Sequence, residues 1–295
     1  MLCGLEGWAG APPGAVEVLP LPALVIAGQP ARAHTQGLEV VGGTYYVTAR
    51  REDARPKQAL LLRTGADRPG WDVWDITPVA TDRPADAAAL LDHPGGFQAG
   101  GGKLWIPLAQ SRRNGRSLIR AYALADLQPG KPARAVFEFP VDDHVGAIAV
   151  AARDGLLMGA SWDTETVYAW DFQGRLRRTL SGTELAAWGL GVAAGPDGRP
   201  GVAVQDWKVA GPRVIASGLG RASGAAASDS ESCLVSFPVS FAAGFPARRI
   251  RLPAPEGAGL AREGMALVDG LVCFLPDDLG ATNRLYRLPL AAIGL

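Results

Sequence analysis

Cysteine, histidine and methionine are scarce in this sequence, three of each in 295 residues, and neither sign of charge is in excess, with 29 Lys+Arg against 29 Asp+Glu. A nucleic-acid binder normally carries a basic surplus or stripe, and a disordered chain joins high net charge to few apolar residues. Zero net charge and 48% hydrophobic residues fit neither. Cys3, Cys233 and Cys273 are too few and too scattered for a disulfide framework, and no CxxC pair offers a zinc knuckle or a redox dithiol. Cys233 and Cys273 sit in apolar strand-like runs, which favours buried thiols and leaves a disulfide between them open. No stretch reaches the ~20 apolar residues of a membrane span. The first residues, broken by Glu6, Pro12, Pro13 and Glu17, lack the pattern of a secretion signal. The expectation is a cytoplasmic protein that engages neither nucleic acid nor membrane.

What is abundant is glycine and proline, 38 and 23 residues, without a collagen period. Such a composition means many tight turns and short strands. Five segments repeat one pattern of small residue, apolar run, glycine turn and second apolar run, starting near residues 36, 95, 146, 188 and 263. Their turns are Gly42-Gly43, Gly100 to Gly102, Asp154-Gly155, Asp197-Gly198 and Asp269-Gly270, the dipeptides that supply the positive φ of hairpin turns. Two further strand candidates follow each hairpin except the last, which is one strand short. The segment near 15–20 belongs to no hairpin and can complete it, which removes an open sheet edge. The prediction is an all-β chain: one five-bladed β-propeller domain over residues 1–295, with four-stranded antiparallel blades and the last blade closed by the N-terminal strand. A flexible insertion is expected near 211–230. A sixth, degenerate blade would have to lie near 65–92.

In such blades the loop entering the first strand and the loop leaving the second share one face. The candidate site therefore gathers at one channel mouth. All three histidines, His34, His93 and His144, stand three positions before the small residue of a repeat, and Glu263 is the carboxylate of the repeat-start register two positions on, where the other blades carry Gln36, Gly95, Gly146 and Trp188. Three imidazoles on neighbouring blades suit a divalent metal such as Zn, Fe or Mn. They also suit general acid–base work, and the commoner role for such histidines is structural, binding backbone between blades. Gln36, Arg51, Arg112, Trp162, Asp163, Trp188, Asp206, Trp207 and Asp277 are the candidate substrate-binding residues on the same rim. No GxSxG motif is present, and the glycine-rich stretches are turns, none opening a helix.

Thr35-Gln36-Gly37-Leu38 and Trp188-Gly189-Leu190 resemble the blade starts of the five-bladed glutaminyl cyclases of plants and bacteria. The resemblance implies the fold, a central cavity and a channel-associated metal. That family's second-blade carboxylate has no counterpart at Gly95, and the chain taken whole resembles an uncharacterised bacterial propeller family. The expected function is an enzyme acting on a small polar or anionic molecule at the channel mouth, of hydrolase, lyase or isomerase type. The alternative is a propeller that binds a ligand or partner there without catalysis.

Overall fold

A computed structural model describes residues 16–65, 68–78, 90–191, 201–220, 231–241 and 247–294. After β1 (Glu17–Leu21) and a small hairpin of β2 (Val25–Ile26) and β3 (Gln29–Pro30), the chain winds through five antiparallel sheets. Blade one is β4 (Ala33–Val41), β5 (Thr44–Arg51), β6 (Gln58–Gly65) and β7 (Asp72–Asp75). In blade two the inner strand is split into β8 (His93–Pro94) and β9 (Gln98–Gly100), followed by β10 (Lys103–Ala109), β11 (Ser117–Ala123) and β12 (Phe137–Val141). Blade three is β13 (Val145–Ala151), β14 (Leu156–Ser161), β15 (Thr166–Asp171) and β16 (Leu176–Ser181). Blade four is β17 (Val202–Ala210), β18 (Arg213–Gly220), β19 (Glu231–Pro238) and β20 (Arg248–Arg251). Blade five orders β21 (Gly264–Val268), β22 (Leu271–Leu275) and β23 (Asn283–Pro289), with β1 outermost. The N-terminal strand thus closes the ring, with Leu19 opposite Leu285.

Blade four departs from the sequence reading. Its inner hairpin turns at Gly211, not at Asp197-Gly198, which lies outside the described residues. The segment from 211 to 220, expected as loop, is that turn and β18, while 221–230 lies outside the described residues. Two glycines lower the strand propensity of β18, and packing requires one of them: a Cβ on Gly218 would lie 2.1 Å from the Ala203 carbonyl oxygen. Trp188-Gly189-Leu190 consequently leads into β17, and Leu190 bridges Val202 in parallel.

Apolar layers hold neighbouring blades together. Tyr46, Leu61 and Trp74 of blade one meet Phe97, Leu104, Ile106 and Tyr122 of blade two, each worth about 1.5–3 kcal/mol when fully buried. Cys233 and Cys273 are buried free thiols on blades four and five. Near the axis the inner strands come so close that Gly96 N–H donates to Gly146 O at 2.9 Å and Ile148 N–H to Gly96 O at 2.8 Å. This crowding accounts for the small residue that opens each repeat.

Polar side chains fill the channel below. The Asp206 carboxylate of β17 accepts from Leu38 N–H at 3.1 Å, Met265 N–H at 3.0 Å, Trp207 N–H at 2.8 Å and Lys208 Nζ at 2.6 Å. Lys208 also donates to Phe97 O. Blades one, two, four and five thereby share one buried ion pair. Gln98 adds a link, its Oε1 accepting from both Val150 N–H and Val209 N–H. Buried Glu39 accepts from Val40 N–H and Ala99 N–H.

Candidate functional site

Above this plug a cavity of about 220 Å³ opens at the channel mouth. Blade geometry explains its lining. Three inner strands carry a β-bulge at the same level, leaving Gln36, Gly146 and Gln205 without a partner on the second strand. A bulge re-aims the extra residue, and all three line the cavity. His34 and His144 stand two residues before their bulges, and His93 stands at the break in the blade-two inner strand. These three imidazoles line the cavity together with Glu263, Trp162, Asp163, Ser161 and Val204.

Each imidazole engages the protein through Nδ1. His34 Nδ1 lies 2.6 Å from Asp278 Oδ1, so the proton is on Nδ1 and Nε2 is left as the basic edge. That Nε2 lies 3.8 Å from Glu263 Oε1. Glu263 is buried, and burial, reinforced by the Asp278 charge and opposed by Arg262, pushes its carboxyl well above the ordinary carboxylate range. His93 Nδ1 meets Arg50 Nη1 and Ser111 Oγ, each at 3.3 Å, and His144 Nδ1 donates to Gln110 O at 2.7 Å. Burial first, then His144 and Arg50, holds His93 well below the usual imidazole range. Burial lowers His144 as well, against the pull of the Gln110 carbonyl.

The other wall is aromatic and acidic. Trp162 stacks edge-on against His144 at 4.7 Å between centroids. Arg113 lies over Trp162 at 5.8 Å and bonds Asp163 Oδ2 at 2.5 Å as well as Glu165.

A profile described as a family of unknown function, DUF6454, matches residues 24–267. The chain belongs to this family. No curated protein matches the sequence. Among solved structures, the GH43_1 enzyme from Xanthomonas citri is similar with a TM-score of 0.53 and 12% identity, over 91% of this chain and 89% of that one. A xylan β-1,4-xylosidase from Bacillus halodurans C-125 gives 0.52 and 10%, over 83% of this chain and 49% of that one. A bifunctional GH43-CE protein from Bacteroides eggerthii gives 0.53 and 12%, over 84% and 32%. This DUF6454 chain therefore spans about half and about a third of the latter two. At such identities the likeness is one of fold. The resemblance of its blade starts to glutaminyl cyclases carries no further than the five-bladed ring.

Several sequence-derived site residues lie elsewhere in this family member. Asp206 and Trp207 are fully buried on β17, because the blade-four register is one strand later than expected. Trp188 packs against Phe241, 5.9 Å between centroids. Arg51 pairs with Asp53 and Gln58 beside a different groove on blade one, and Arg112 folds back on Gln110. Asp277 bonds Arg284, and its neighbour Asp278 is the one that reaches His34. Among the described residues no group of three or more His, Cys, Asp or Glu side chains is arranged to hold a metal ion. The three rings are each anchored through Nδ1 to a different part of the protein: His34 to Asp278, His93 to Arg50 and Ser111, and His144 to the Gln110 carbonyl. Among the described residues no helix is long and apolar enough to cross a membrane.

The residues that sequence reasoning left out of the site, Gln205 and Ser161, were hidden by strand register. A bulge is legible only once the partner strand is counted against it.

Proposed function

We propose that the channel mouth is the active site of a hydrolase acting on small polar molecules, with His34 as general base and Glu263 as general acid. One observation carries the reading: an Asp278-held imidazole presents its Nε2 3.8 Å from a buried carboxyl whose hold on its proton is strengthened by burial. A donor and an acceptor of protons thus stand side by side in a cavity, the pairing hydrolysis requires. Water bound at His34 Nε2 gives up one proton to that nitrogen as its oxygen attacks the electrophilic carbon of the substrate. The bond to the leaving group breaks, its electron pair departs with that group, and the Glu263 proton is transferred to it. The imidazolium then returns its proton to the Glu263 carboxylate, directly or through one water across the gap. Asp278 positions the imidazole and stabilises its charged form. Trp162 and Asp163 bound the space for substrate.

The anionic substrate class loses its support, since Arg51 and Arg112 are turned away and no Lys or Arg is among the cavity-lining residues. Three solved structures of this fold carry glycosidase names, which agrees with a hydrolase and adds only the fold. A screen of chromogenic glycosides and esters tests the proposal. Turnover that disappears in His34→Ala and Glu263→Gln supports it. A protein that hydrolyses nothing while binding ligands at the mouth, or full activity in Glu263→Gln, overturns it.

A further inference from the structure

We infer that His93 and His144 form a fixed donor–acceptor pair that reads two vicinal hydroxyls of an uncharged, polyhydroxylated substrate. The inference rests on the proposed hydrolytic site and names its substrate class. Arg50 Nη1 can only donate, and it stands 3.3 Å from His93 Nδ1, so that nitrogen keeps its lone pair and the ring proton sits on Nε2. Gln110 O can only accept, and it stands 2.7 Å from His144 Nδ1, so that nitrogen carries the proton and Nε2 keeps the lone pair. The two rings are neighbours, 5.3 Å between centroids and tilted by 57°. Burial opposes a second proton on either ring, and on His93 the neighbouring His144 and Arg50 add to that opposition. Among the described residues, the buried polar side-chain atoms without a partner are Tyr122 Oη, Trp207 Nε1 and Tyr286 Oη. Neither imidazole is among them, and both rings line the cavity.

One N–H and one lone pair, side by side, discriminate strongly. A carboxylate brings two acceptors and sets an oxygen against the His144 lone pair. An ammonium has no lone pair for the His93 N–H. A carboxamide supplies one group of each kind but holds them in a single plane, which rings tilted by 57° do not share. Vicinal hydroxyls each donate and accept, and each rotates to suit its partner. Gln36, Gln205 and Ser161 surround the same space with groups that also work both ways, and Trp162 supplies an aromatic edge to the wall.

Nitrogen-15 NMR of the histidine rings tests the pair directly, and with three histidines in the chain assignment by single substitution is simple. At neutral pH His93 is expected to be protonated at Nε2 alone and His144 at Nδ1 alone. Two rings of the same tautomer, or a cationic ring, overturn the inference without touching the acid–base proposal. Calorimetric titration of the Glu263→Gln protein then tests the substrate class, with neutral aldopentoses and aldohexoses, the matching uronic acids and small carboxamides as probes. Neutral sugars are expected to bind at least tenfold more tightly than the uronic acids, and His93→Ala and His144→Ala each to weaken them at least tenfold. Equal or tighter binding of uronic acids or carboxamides, or no sugar binding at all, refutes it. Sugar binding with no hydrolysis of any glycoside removes the hydrolase reading and leaves the pair standing. If an alanine variant fails to fold, the tautomer measurement on the unmodified protein still decides.

Discussion

Replacing Lys208 with methionine strands a carboxylate at the centre of the ring. Methionine nearly matches the lysine stem in volume, so packing changes little and the loss is electrostatic. The pair is 2.6 Å apart with side chains 1% and 0% exposed, and breaking a buried pair from one side costs about 3–5 kcal/mol. Given an unfolding entropy of about 2.1 cal/mol/K per residue, the chain should melt roughly 5–8 °C lower. Asp206 still accepts from Leu38, Trp207 and Met265 N–H, so Asp206→Asn in the same background removes the charge, keeps one acceptor oxygen and recovers part of the loss. Arg116→Met is the control, since its pair with Asp142 is 3.4 Å long with side chains 77% and 92% exposed, worth under about 1 kcal/mol. Urea denaturation followed by tryptophan fluorescence reads all three variants. The pair also predicts a pH response. Burial, opposed by Lys208, pushes Asp206 from 3.8 up to about 6. Between those values the folded state holds a proton that the unfolded state lacks, so this contribution to stability grows as pH falls from 6 to 3.8 and is absent above. A Lys208→Met protein as stable as the Arg116→Met control would refute the view that this pair ties the blades together.

Glu263→Gln is expected to lower kcat by about 10²–10⁴ with little change in KM, measured on whichever substrate the screen identifies. Because its folded pKa is raised, the Glu263 carboxylate penalises the native state, and stability falls as pH rises from the ordinary carboxylate range through the folded value; in the glutamine variant this loss should vanish from urea titrations. Asp278→Asn keeps an oxygen for His34 Nδ1 but removes the charge that supports an imidazolium. It should reduce kcat and leave sugar affinity within twofold, and a KM effect alone would contradict the assigned role. Gly264→Ala would set a Cβ 2.7 Å from both Gly37 C and Leu38 N. Overpacking of this kind costs about 1–3 kcal/mol and should shift the urea midpoint with an unchanged slope.

Four blades were legible because their turns obey local rules. Gly42, Gly101, Gly155 and Gly270 all adopt the positive φ that their dipeptides announce. Blade four was misread because Asp197-Gly198 carries the same signal, while the real strand β18 holds Gly218 and Gly220, both weak strand formers, of which Gly218 is required by close backbone packing. That shift moved Asp206 and Trp207 from the rim to the interior. The shared register of the three histidines, and the place of Glu263 two positions further on in its own blade, were visible because a repeat brings equivalent positions together. Their partners were not: Asp278 reaches His34 across 244 positions and Gln110 reaches His144 across 34, through loops that no local pattern describes. The charge state of Glu263 follows from burial, which only the folded chain reveals.

The closing strand has a bearing on how the protein matures. His34 comes from blade one, whereas Glu263 and Asp278 come from the blade that β1 completes. Leu279 and Ala33 exchange backbone hydrogen bonds next to them. The proposed acid–base pair therefore spans the joint between blade one and blade five, and it exists only once that joint is made. A chain whose fifth blade has not docked carries every histidine of the cavity without the Glu263 carboxyl beside His34, so turnover at the proposed site would report that the circle has shut.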